Sequence, residues 1–210
     1  MIMNSSSLSL TPDTLKLLLK YEVGGGESYY TKYLSRFTWP GGASGPTIAI
    51  GIDCAYYPAQ ELAELFAFLN QDHIKLIQQS VGKTGAKGKE YATVLRKAGI
   101  QVPWDKALDI FHKYTWNKFS ALAVKAFPGL SELNPDAYGA IVSIVFNRGT
   151  SMTGDGRKEM RNIRDLVPKK DYKGIAQEIR NMKRIWIGKG LDGLLERRNS
   201  EAQLVENCLI

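Results

Sequence analysis

The sequence has only two cysteines, Cys54 and Cys208, and only two histidines, His73 and His112. Two cysteines in a chain of 210 residues cannot build a disulfide framework, so two reduced thiols are expected in place of a Cys54–Cys208 bridge. Neither histidine stands beside a cysteine or a carboxylate pair at ligand spacing. That argues against a metal centre, and no cofactor is expected. No stretch approaches 18 consecutive apolar residues, which excludes a membrane-spanning helix from the reading. The opening Met1–Asp13 carries no Lys or Arg and no sustained apolar core, so it does not read as a secretory signal. Internal repeats and low-complexity linkers are also lacking, and one domain over residues 1–210 is expected. The run Gly24-Gly25-Gly26 lacks a Gly-Lys-Ser/Thr ending and is no phosphate loop. The Ser, His and Asp residues show no nucleophile elbow or triad spacing.

What is present is an ordinary globular balance, 44% hydrophobic and 23% charged, which excludes a disordered chain. The net charge of +7 is unevenly spread. Arg148 to Arg198 holds 14 Lys or Arg against 7 Asp or Glu, so this quarter of the chain carries a surplus equal to the whole net charge. Such a surface suits a polyanion: nucleic acid, an anionic membrane face, or a cell wall with its phosphates and peptide carboxylates. A merely solvating face explains it equally well.

Thr11-Pro12-Asp13 is a helix start, and Leu15, Leu18 and Leu19 share one face of the helix that ends at Gly24-Gly25-Gly26. Residues 28–53 read as short strands around a glycine-rich turn: Tyr29, Tyr30 and Tyr33, then Trp39-Pro40-Gly41-Gly42, then Thr47 to Ile52. From Pro58 onward the pattern predicts helices over 58–69, 72–81, 88–98 and about 103–126. Asn134-Pro135 opens a further helix that ends at Gly149, and others follow near 157–167, 172–184 and 192–207. The expected fold is α+β, a mostly helical body with a small β-hairpin insert after the first helix.

Glu22 is the first candidate for chemistry. It falls in the last turn of the first helix, where exposed carbonyls disfavour a carboxylate and favour the protonated acid. A glycosidase needs such an acid to protonate its leaving oxygen. Between Ser28 and Ile52 there is no acidic residue, so a second carboxylate delivered by the insert must be Asp53 or Glu27. A base carboxylate roughly 6.5–9.5 Å from the acid would position the attacking water of an inverting glycosidase. Against this, Asp53 also suits a strand-end turn or a cap for the next helix. Tyr29, Tyr30, Tyr33, Trp39, Tyr56 and Tyr57 supply flat rings of the kind that stack on sugars, although such residues are more often core.

Four segments, in order, resemble the phage-type lysozymes and the related bacteriocin pesticin. KYEVGGGESYY resembles the segment that places a catalytic Glu at the end of the first helix, with an aromatic seven residues on, here Tyr29. PTIAIGID resembles the family strand Thr-Ile-Gly-x-Gly, with Ala49 in place of one glycine. DAYGAIVSIVFNRG resembles the helix Asp-Ala-Leu-x-Ser-x-x-Phe-Asn-x-Gly, and GLLERRNSEAQLV resembles Gly-Leu-x-x-Arg-Arg-x-x-Glu. Phage lysozymes usually carry an Asp in the turn before the strand Thr, but here that turn is Gly41-Gly42-Ala43-Ser44 and has no acid. Pesticin places its Asp six positions after the Thr, as Asp53 follows Thr47.

The resemblance implies a lysozyme-like peptidoglycan muramidase, cutting the β-1,4 bond between N-acetylmuramic acid and N-acetylglucosamine. Its implied catalytic set is Glu22 as general acid, Asp53 as base or water-orienting group, and Thr47 as a hydrogen-bond partner of water or substrate. Tyr29, Tyr30, Asn147 and Arg148 are the expected substrate-binding residues, while Arg198, three residues before Glu201, is expected in a structural ion pair. The implied partner is the glycan strand, met by a monomer whose basic C-terminal third could hold the anionic envelope. The implied location is a host cytoplasm until release to the wall, or secretion as an antibacterial toxin. Two other readings stand beside it: a lytic transglycosylase, which needs one Glu and no base, and a basic nucleic-acid-binding protein, which would leave the Glu22–Asp53 set without a role.

Overall fold

The computed structural model describes residues 9–24 and 26–209. Most of the opening segment, read as carrying no secretory signal, and Gly25 of the glycine run lie outside the described residues. The described chain is mostly helical with one two-stranded antiparallel sheet, and it divides into two compact units. One is formed by residues up to Tyr21 together with Thr115 onward, the other by Glu22–Tyr114. None of the described helices is long and apolar enough to cross a membrane.

In the first unit, α1 (Pro12–Val23) begins where predicted. The Thr11 hydroxyl oxygen accepts the Thr14 N–H at 3.1 Å, satisfying a backbone donor that the first helical turn leaves free. The centre of this unit is α8 (Pro135–Arg148), in which every residue from Ala137 to Val145 is buried. A helix apolar on all sides belongs inside a ring of others. Here α7 (Asn117–Ala126) and α11 (Asp192–Glu206) pack on it, with α9 (Lys158–Leu166) and α10 (Tyr172–Asn181) completing the bundle. Burial of each large aliphatic side chain in α8 contributes roughly 1.5–3 kcal/mol. Asn134 caps the helix by accepting the Asp136 N–H, and Gly149 at φ 70° ends it. Thr14 of α1 comes so close to α8 that a Cβ at Gly139 would lie 2.0 Å from its hydroxyl oxygen.

The second unit holds the sheet. The strands β1 (Thr47–Ile48) and β2 (Ile52–Asp53) pair antiparallel, and Thr38 bridges to Thr47 on the other side. Around them lie α2 (Glu27–Tyr33), α3 (Ala59–Leu65), α4 (Gln71–Gln78), α5 (Gly85–Lys97) and α6 (Trp104–Ile110). Phe37, Ile48, Ile52, Leu62, Phe66, Ile77 and Leu95 form the core. The helix α5 seats Gly88 on the Ser44–Gly45 turn, where a Cβ would meet the Ser44 carbonyl oxygen at 2.8 Å and Gly45 Cα at 2.9 Å.

Two expectations fail in this unit. Tyr29, Tyr30 and Tyr33 lie on a helix, α2, and not on a strand, so a helix intervenes between α1 and the hairpin. The spacing Tyr29–Tyr33 suits one helical face, and the two rings pack at 4.8 Å. Thr47–Ile52 is not a single strand, because Ala49 at φ 56° and Gly51 at φ 78° reverse the chain between β1 and β2. The helices predicted after Pro58 are all present. The helix predicted over 88–98 begins three residues earlier, at Gly85, and the run 104–126 is π-wound over Phe111–Trp116.

Candidate active site

Glu22 occupies the last turn of α1, half-buried, next to the fully buried Val23 and ahead of Gly24 at φ 65°. It belongs to the same compact unit as Thr47 and Asp53. Thr47 and Asp53 are register partners across the hairpin, so their side chains share a face of the sheet.

The Asp53 carboxylate is held by backbone. Gly45 N–H donates to Oδ2 at 2.9 Å and to Oδ1 at 3.1 Å, and Ala55 N–H donates to Oδ1 at 3.2 Å. Asp53 is therefore the cap of the 3-10 turn Cys54–Tyr56 and the clasp of the Gly45 turn. A carboxylate offers about four lone-pair sites, so two donors leave acceptor capacity on the half-buried group. Gly45 is obligatory at this contact: a Cβ there would lie 2.3 Å from Ala55 Cβ and 2.7 Å from Asp53 Oδ1. The Thr47 hydroxyl donates to the Gly45 carbonyl at 3.2 Å, tying both side chains to one turn. Beneath them, burial pushes the Cys54 thiol well above its ordinary value. Burial, then Glu61, Cys54 and Asp53, pushes the Tyr57 hydroxyl up to about 12. Glu27, the other candidate carboxylate, lies exposed in the first turn of α2, where it complements the helix dipole.

The aromatic candidates separate by burial. Tyr29 and Tyr33 are 43% and 49% exposed and form a surface pair. Tyr30 is fully buried, donates its hydroxyl to the Val102 carbonyl at 2.8 Å and packs on Trp104. Its expected role in substrate binding is therefore corrected: it anchors α2 and presents no surface to a glycan.

Asn147 and Arg148 fall in the other unit, at the end of α8. Asn147 is exposed, and its carbonyl oxygen accepts from Arg198 Nη2 at 3.4 Å. The Arg148 guanidinium stacks 4.7 Å from the Trp186 ring and donates to the Gly156 carbonyl, while its Nε has no hydrogen-bond partner. Burial, reinforced by Arg157 and Arg198, lowers its pKa to about 10.

The same unit contains a buried cluster. Glu201 Oε1 accepts from Ser143 at 2.6 Å, Arg198 Nη2 at 2.8 Å and Arg197 Nε at 3.2 Å. Glu201 Oε2 lies 2.7 Å from Arg198 Nε, an ion-pair distance, but off the N–H direction, and neither atom makes a hydrogen bond. The structural ion pair read from Arg198 and Glu201 is thus present, but Ser143 and Arg197 join it from positions that sequence spacing did not single out.

A profile of the phage lysozyme family matches residues 69–201, more than half of the chain. The chain belongs to the phage lysozyme family. No curated protein sequence matches it. Membership in the phage lysozyme family carries peptidoglycan-hydrolase activity of the glycoside-hydrolase kind. The matched span contains Asn147, Arg148 and the Arg197–Arg198–Glu201 cluster, and it begins after Glu22, Thr47 and Asp53.

Proposed function

We propose that this phage lysozyme family member is an N-acetylmuramidase that hydrolyses the β-1,4 bond between N-acetylmuramic acid and N-acetylglucosamine. Glu22 protonates the glycosidic oxygen as the bond breaks, and Asp53 takes a proton from the water that adds to the anomeric carbon. Thr47 hydrogen-bonds that water or the sugar, and exposed Tyr29 offers a ring to the glycan. The observation that supports this reading is the Thr47–Asp53 register, which sets a hydroxyl beside a backbone-oriented carboxylate in the unit that also holds Glu22. In this reading the enzyme acts as a monomeric, single-domain endolysin that waits in the host cytoplasm, or as a secreted antibacterial toxin. Its basic C-terminal third then rests on the anionic envelope. Much of that charge is already engaged, since Arg180, Arg184 and Arg198 pair with Glu206, Glu159 and Glu201.

The hold of Gly45 and Ala55 on Asp53 also favours a second reading, in which Asp53 is purely structural and Glu22 acts alone as in a lytic transglycosylase. Mass spectrometry of the products from purified peptidoglycan decides between them. Reducing N-acetylmuramic acid ends mark hydrolysis. 1,6-Anhydro ends overturn it.

A further inference from the structure

A pocket of about 210 Å³ opens between the Phe37–Trp39 segment and α5, lined also by Lys89, Ala92, Thr93 and Arg96. Its floor is apolar, formed by the buried Phe37 and Ala92. One wall is the Trp39 indole, fixed because its Nε1–H donates to the Ser44 carbonyl at 2.9 Å. The other wall is a stripe of α5, since residues 89, 93 and 96 follow the i, i+4, i+7 spacing of one helical face.

Two cations border this recess. Lys89 Nζ hangs 5.6 Å from the Trp39 ring centre. Neither Lys89 nor Arg96 has a carboxylate in ion-pair range among the described residues, unlike Lys20, Lys106, Lys170, Arg180 and Arg184. Glu90, the acid next along the helix, lines no part of the pocket. The Thr93 hydroxyl is spent on the Lys89 carbonyl at 3.2 Å, so the free donors are the two cations. The recess therefore joins two uncompensated positive charges to an indole face and an apolar floor. Its volume falls below the roughly 300–1,000 Å³ of sites for drug-sized ligands, so it suits one residue-sized group.

We propose that this pocket binds a carboxylate of the peptidoglycan stem peptides, with the aliphatic part of the acidic residue against Trp39 and Phe37. The proposal rests on the peptidoglycan reading above for the identity of its ligand. An Arg fork and a Lys point charge two turns apart along one wall of the recess favour a carboxylate carried on a short side chain.

Calorimetric titration of the full chain with stem peptides released from Gram-negative peptidoglycan tests the site without any turnover. Binding by the wild type, weakened roughly three- to tenfold in the Lys89→Gln/Arg96→Gln double variant, is expected for two partly exposed charge contacts. Hydrolysis provides the second arm: the double variant should have a raised KM on stem-bearing glycan and unchanged kinetics on stem-free glycan. Absence of wild-type binding, or an equal change on both glycans, overturns the proposal. A wild type that binds the peptides through these residues but cleaves neither glycan supports the pocket and removes the muramidase reading.

Discussion

Thr47 stands directly opposite Asp53 across the hairpin, and the Thr47 hydroxyl and the Asp53 carboxylate both bond to Gly45, the first to its carbonyl and the second to its N–H. The turn and the two side chains therefore form one unit. A change at any of the three is expected to be felt by the others.

Asp53→Asn tests that coupling. Asparagine offers one acceptor oxygen, so an amide NH2 would face a backbone N–H that the carboxylate now satisfies. The expected cost is about 1–3 kcal/mol of stability, measured by denaturant unfolding. As a base, Asp53 should also lose activity beyond what the reduced folded fraction explains. Full specific activity per folded molecule would leave it the role of clasp alone.

In the proposed mechanism, Glu22→Gln removes the proton donor while keeping the shape of the side chain. Peptidoglycan clearing should fall by roughly 10²–10⁴-fold. Circular dichroism and melting temperature should stay near the wild-type values. Retained clearing by the folded variant would sink the assignment of Glu22.

Ala49 holds φ 56° at the position where the family strand motif has glycine. An L-residue in the left-handed region carries a steric penalty that glycine escapes, partly offset by glycine's larger loss of chain entropy on folding. Ala49→Gly should therefore stabilise the protein by up to about 1 kcal/mol, read from the denaturation midpoint. A loss of stability would mean that the Ala49 methyl contributes more through packing than its backbone costs.

Glu201 is fully buried between Arg197 and Arg198. Removing its charge by Glu201→Gln takes the paired carboxylate away from the fully buried Arg198 guanidinium, at an expected cost of about 3–5 kcal/mol. Thermal unfolding measures it. Replacing exposed Glu196, which pairs with Lys20 on the surface, should change stability by less than about 1 kcal/mol and serves as the control.

The hydrogen bond from Arg180 holds the Glu206 carboxyl below its ordinary value. A carboxylate with a depressed folded-state pKa stabilises the protein above its unfolded-state value, and that contribution disappears as pH falls through the folded-state value. Glu206→Gln should therefore shrink the loss of stability on acidification below about pH 4.5, by no more than about 1 kcal/mol for a pair this exposed. An unchanged acid limb would show that the bond survives poorly in solution.

The helices from Pro58 onward were legible because their evidence is local. Apolar periodicity, the Asn134-Pro135 start and the Gly149 stop each act within a few residues, and α8 formed where they said it would. The Arg198–Glu201 contact was legible from spacing, because residues three apart on a helix are neighbours whatever surrounds them. The tertiary structure alone decided what the candidate site residues touch. Tyr29 and Tyr30 are adjacent in sequence and equal in chemistry, yet one faces solvent and the other bonds Val102, because α2 lays its Tyr30 side against Trp104 and Val102, the latter 72 residues further along the chain. Asp53 meets Gly45 only because Ala49 and Gly51 reverse the chain, and Gly45 tolerates no side chain only because Asp53, Ala55 and the Lys83 carbonyl converge on it. Periodicity carries no information on such contacts, since they depend on where distant segments cross and not on the order of residues within any one of them.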